Sequence, residues 1–90
     1  MNNEILLNER VQVMASFTSG LAICVPRIIR RKNGSEIHIT KLGLRHPVVV
    51  GRRMVHVFEV TDGGADYRLE FDAERLTWTL TREADRADGS

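Results

Sequence analysis

The 90-residue chain carries 13 basic and 12 acidic side chains, a net charge of +1, and is 42% hydrophobic. A chain of this size buries roughly 60–65% of its unfolded surface, enough for one modest core without an obligatory metal or disulfide. Its one cysteine, Cys24, excludes an internal disulfide, and no apolar run approaches the ~20 residues of a membrane-spanning helix.

Met1-Asn2-Asn3-Glu4 lacks the basic region of a signal peptide, and the apolar run Ile5–Leu7 is too short for a signal core. The expected location is therefore the cytoplasm, away from membranes. Ile5–Leu7 fits a short edge strand, a packed arm or part of a helix over residues 3–10. Val11, Val13, Ala15 and Phe17 then alternate with polar or flexible residues and predict a first long strand facing inward. Ser19-Gly20 breaks it. Leu21–Val25 reads as a short strand, and Pro26, which has no N–H to give a ladder, marks a strand start or an edge.

Asn33-Gly34 is a strong two-residue hairpin signal between Ile28–Lys32 and Ser35–Lys41. Pairing about it sets Ile28 opposite Ile39 and Arg31 opposite Glu36, with Ile28, Ile37 and Ile39 facing the core and His38 facing outward. Leu42-Gly43-Leu44 leads through Arg45-His46-Pro47 into Val48–Val50, and Gly51-Arg52-Arg53 makes a tight turn.

Residues 54–81 read as a three-strand meander. The Asp62-Gly63-Gly64-Ala65 turn sets Val60 against Tyr67 and Phe58 against Leu69. A second turn, Asp72-Ala73-Glu74-Arg75, sets Phe71 against Leu76, Leu69 against Trp78, and Tyr67 against Leu80. All these apolar residues then share one face, which a one-residue slip would destroy. The fold expected is all-β, a small antiparallel barrel or roll of about six to seven short strands. Residues 1–82 are expected to form a single domain, and residues 83–90 a disordered polar tail.

Chemistry is harder to find. Cys24, His38, His46 and His56 have no zinc-ligand spacing, no phosphate-binding glycine motif is present, and no set of acids, bases or nucleophiles stands out. The reading is a non-enzymatic binding module with no metal, cofactor or catalytic residue. Charge gives the lead. Residues 27–53 hold Arg27, Arg30, Arg31, Lys32, Lys41, Arg45, Arg52 and Arg53 against Glu36 alone, and the remainder of the chain is acidic. That asymmetry makes these eight side chains the candidate nucleic-acid-binding residues, acting on the phosphate backbone. The inward-facing aromatics leave no platform for stacking bases. The alternative is a protein–protein interaction module, a homodimer or an accessory domain of a larger enzyme, using a sheet edge or the Val55/Val57 face.

Pro26, the Asn33-Gly34 turn, Glu36–Lys41, and the segments His56–Val60, Asp66–Asp72 and Leu76–Leu80 together resemble a small uncharacterised bacterial all-β domain. That domain occurs free-standing and at the C-terminal ends of some Y-family DNA-polymerase-like proteins. The resemblance covers roughly residues 26–82. It implies a compact β domain near DNA-repair machinery and brings no catalytic residues.

Overall fold

The computed structural model describes residues 3–17 and 24–86. These form seven antiparallel strands and no helix: β1 (Glu4–Phe17), β2 (Cys24–Arg30), β3 (Glu36–His38), β4 (Lys41–Val50), β5 (Arg53–Thr61), β6 (Ala65–Asp72) and β7 (Thr77–Asp85). They make one sheet in the order β3-β2-β1-β7-β6-β5-β4, curled into a half-barrel. The expected all-β class and strand number are therefore correct.

The turn after β5 shows how local chemistry sets register. Gly63 takes a φ of 99°, open to glycine at little cost. The Asp62 carboxylate accepts hydrogen bonds from the N–H groups of Gly64 and Ala65, both at 2.8 Å. The Thr61 hydroxyl donates to the Ala65 carbonyl. Val60 then pairs with Tyr67 and Phe58 with Leu69, as the alternation requires.

The second meander turn is four residues, as expected, but sits one residue later, Ala73–Leu76 between the Asp72–Thr77 pair. Phe71 pairs with Trp78 and Leu69 with Leu80, two residues away from the predicted register. Parity is kept, so Trp78 and Leu80 stay on the core side, but Leu76 moves into the turn, where it is exposed and left-handed at φ 57°. The Asp72 carboxylate holds this turn by accepting from the N–H groups of Glu74 and Arg75. Strand β7 also runs to Asp85, pairing there with Ala65, so residues 83–85 belong to the sheet and not to a polar tail.

The Asn33-Gly34 hairpin is out of the predicted register by one residue. Ile29 pairs with Ile37 and Arg30 with Glu36 around a five-residue loop, 31–35. Asn33 shapes that loop, its side-chain oxygen accepting from both the N–H and the hydroxyl of Ser35. Ile29, fully buried, therefore replaces Ile28 in the core. Pro26 lies inside β2 at a stretch that β3 does not reach, where a missing donor is harmless. The strand expected at Leu21–Val25 falls largely outside the described residues.

Strand β1 joins the two halves of the molecule. Its first part, through Val11, pairs with β7, and from Gln12 onward it pairs with β2. Ile5–Leu7 thus belongs to one long strand, not to an arm or a helix. The curl brings Ile29 and Ile37 from β2 and β3 over Phe58, Val60, Leu69 and Leu80. Burying each of these large side chains contributes about 1.5–3 kcal/mol. Trp78 packs against Phe71 and Phe58 with ring centroids 4.6 and 5.4 Å apart. Phe17, expected inward, is exposed.

Candidate functional site

Strand β4 is the last in the sheet and pairs only with β5. Its free side runs ten residues, against three in β3, the other terminal strand. Local chemistry fixes what it presents. Gly51, at φ 63°, and Arg52, without positive φ, form the turn to β5. This is the glycine-first pattern of a two-residue hairpin, closed by the Val50–Arg53 pair.

In such a hairpin the closing pair exchanges hydrogen bonds, so by alternation Val48 and Val50 bond toward β5. Arg45, Pro47 and Val49 then aim their backbone groups away from the sheet. Pro47 fits that parity, since a proline survives in a sheet where its missing donor would have faced outward. Further along, Gly43 is an unpaired bulge between the Leu42–Val60 and Leu44–Glu59 pairs. A Cβ at Gly43 would lie 3.3 Å from the Glu59 carbonyl oxygen. The bulge reverses side-chain parity, sending Leu42 toward the core and Leu44 outward.

The exposed side chains along this edge are apolar and basic. Val49 is 68% exposed, Met54 51% and Val50 46%, with Leu44 and Val48 also open. Val55 and Val57, by contrast, are buried on the face opposite the core, beneath His46, Val48, Val50, Arg68 and Glu70. The Val55/Val57 face expected as an interaction surface is therefore closed over at those two residues, and the exposed apolar groups lie one strand further out. Residues 37–58 contain no Asp or Glu.

The eight candidate basic residues do not form one surface. Arg30 bonds Glu36 at 2.6 Å. Arg31 sits between Glu9, at 2.6 Å, and Glu83, at 3.2 Å. Arg53 pairs with Asp72 across β5 and β6. Arg27 donates to the Ser16 hydroxyl. Arg45 lies over the Phe58 ring, 6.0 Å from its centroid. Arg45, Arg52, Lys41 and Lys32 make no ion pair among the described residues. Lys41 and Arg52 stand at opposite ends of β4, about 30 Å apart at the rise of a strand.

A second basic group lies where β1 meets β2. Arg10, which sequence reading missed, joins Arg30, Arg31 and Lys32 around a depression of about 420 Å³. Three carboxylates, from Glu36, Glu9 and Glu83, already engage Arg30 and Arg31 there, so little charge remains for a ligand. The Arg31 hydrogen bond, reinforced by the Lys32 N–H, holds the Glu9 carboxyl below its usual range. Glu9 in turn raises Arg31.

Burial pushes the Cys24 thiol up, against the pull of Arg45. Among the described residues no three His, Cys, Asp or Glu side chains gather as a metal site requires. No family model, curated protein or solved structure matches the chain.

Proposed function

We propose that the chain is a non-enzymatic protein-interaction module that binds an extended segment of a partner along the outer edge of β4. One observation supports this reading above all. A ten-residue edge strand keeps its outward backbone groups unpaired while flanking them with exposed Val48, Val49 and Val50. Sheet edges of this length are ordinarily shortened, covered or blocked by charge, because they template pairing with other chains. Here Pro47 removes one donor and the valines beyond it are left open. Strand addition draws affinity from main-chain hydrogen bonds and specificity from alternate side chains.

Binding to nucleic-acid backbone has less support. Arg30, Arg31 and Arg53 are engaged by carboxylates of the same chain, and the remaining cations are spread along the sheet.

A displayed panel of extended peptides tests the reading, with Val49→Lys as the blocked control. The protein is expected to retain strand-forming peptides and the Val49→Lys variant to lose them. Retention of none, or equal retention by both proteins, overturns it. Steeply salt-dependent binding to a DNA duplex, unchanged by Val49→Lys, replaces it with the nucleic-acid reading.

A further inference from the structure

Resting on that reading, we infer that the segment added to β4 is an acidic one: a short apolar run flanked by Asp or Glu, and not a second copy of this chain. Lys41, Arg45, Arg52 and Arg53 are the only formally charged side chains between Glu36 and Glu59, and of these only Arg53 is ion-paired among the described residues. Glu59, across the ladder from Leu44, is itself bonded to Arg68 at 2.7 Å. Strand β4 and its turn therefore carry three cations with no ion-pair partner among the described residues, and Arg45, resting over the Phe58 ring, and Arg52 bracket Val48–Val50 along the chain.

A second copy meets this arrangement badly. A two-fold antiparallel pairing that lays the valines of one copy against those of another brings each Arg45 toward the other copy's Arg52-Arg53 corner. Like charges facing across a ladder destabilise it, and Pro47 withholds a donor from each side. An incoming strand with valine-sized residues at its centre and carboxylates near its ends reverses every one of those terms. Its apolar side chains lie beside Val48, Val49 and Val50, and its carboxylates reach Arg45 at one end and Arg52 at the other. Arginine receives a carboxylate through two parallel hydrogen bonds, which also fixes the register of the strand.

Fluorescence anisotropy with three labelled synthetic peptides tests this. All share an alternating valine–threonine centre, flanked by glutamate, by lysine or by serine. The glutamate peptide is expected to bind at least about ten-fold more tightly than the lysine peptide, a preference that shrinks as salt screens it. Arg45→Glu and Arg52→Glu should each erode that preference, and Val49→Lys should remove binding of all three. Circular dichroism establishes that each variant is folded. Equal binding of the three peptides overturns the acidic preference and leaves the strand-addition reading standing. So does a concentration-dependent dimer of the protein that Val49→Lys dissolves. Absence of binding by every peptide, with the protein monomeric, overturns both.

Discussion

Pro47 stands directly across the ladder from His56, on the terminal strand β4, whose other side has no neighbour among the described residues. The pairing shows that a residue unable to donate is accepted there because its donor would have pointed into solvent. Replacing it restores an outward N–H in the middle of an apolar edge. Pro47→Val is therefore expected to associate at lower protein concentration than the parent, as light scattering over a concentration series would show. Its effect on folding should stay within about 1 kcal/mol, since Pro47 is exposed. Identical scattering from the two proteins would mean that Pro47 does not guard the edge.

The Glu9–Arg31–Glu83 group fastens the β2–β3 loop to the meander, and all three side chains are about one-fifth exposed. Removing the cation leaves two carboxylates close together and partly desolvated. Arg31→Leu should cost about 1–3 kcal/mol in urea unfolding, and Arg31→Lys less, because an ammonium keeps the charge but not the fork. Glu9 has a lowered pKa in the folded protein, so its contribution is present above the ordinary carboxylate range and is lost as pH falls through the folded value. Glu9→Gln should lower stability at neutral pH and flatten the acid limb of a stability–pH profile.

Tyr67 is the single tyrosine, so its ionisation can be followed without interference from another phenol. Burial, aided by Asp62 and Glu83, pushes its hydroxyl up to about 12. Because the folded value exceeds the unfolded one, near 10, the stabilisation is complete below pH ~10 and is lost as pH rises toward 12. Tyrosinate absorbance should titrate near 12 in the folded protein, and stability should fall by up to about 1.4 kcal/mol per pH unit across that interval. A phenol titrating at 10 while the fold persists would contradict the buried placement.

Leu76 spends conformational energy without returning packing: its φ is 57° and it is 74% exposed. A left-handed conformation costs a residue with a Cβ roughly 1–2 kcal/mol. Leu76→Gly is expected to raise the unfolding midpoint, with a net gain of up to about 1 kcal/mol after the entropy of glycine is set against it. Leu76→Asn should gain less. Loss of stability in both would place the Leu76 side chain in a contact of its own.

Leu76 also marks how far the sequence could be read. Phe58, Val60, Tyr67 and Leu69 were legible because Gly63 and Asp62 admit one turn and the alternation on both sides agrees with it. Leu76, Trp78 and Leu80 keep the same parity whether the four-residue turn spans 72–75 or 73–76, because moving it by one shifts the pairing by two, so the pattern held no information about which was right. The β2–β3 hairpin failed for a related reason. Ile28-Ile29 and Arg30-Arg31 are doublets, and a shift of one residue exchanges an isoleucine for an isoleucine and an arginine for an arginine. Asn33 then decided the loop through its own hydrogen bonds to Ser35. The destinations of the basic residues were hidden because their partners lie far along the chain, Glu9 for Arg31 and Asp72 for Arg53. The open edge of β4 was hidden more simply. Strand order decides which apolar run lacks a neighbour, and the valines of β4 look the same in either case.

Near the two ends of the described fold, Glu4 pairs with Ala84, and the Asp85 N–H donates to the Asn3 carbonyl at 3.2 Å. Chain entry and exit therefore share one doorway. A unit with that geometry can be spliced into a surface loop of a host protein without prising the loop apart. A short linker from Arg86 back to Asn3 would close the backbone into a ring, and a new opening at Gly51-Arg52 would leave every ladder of the sheet in place.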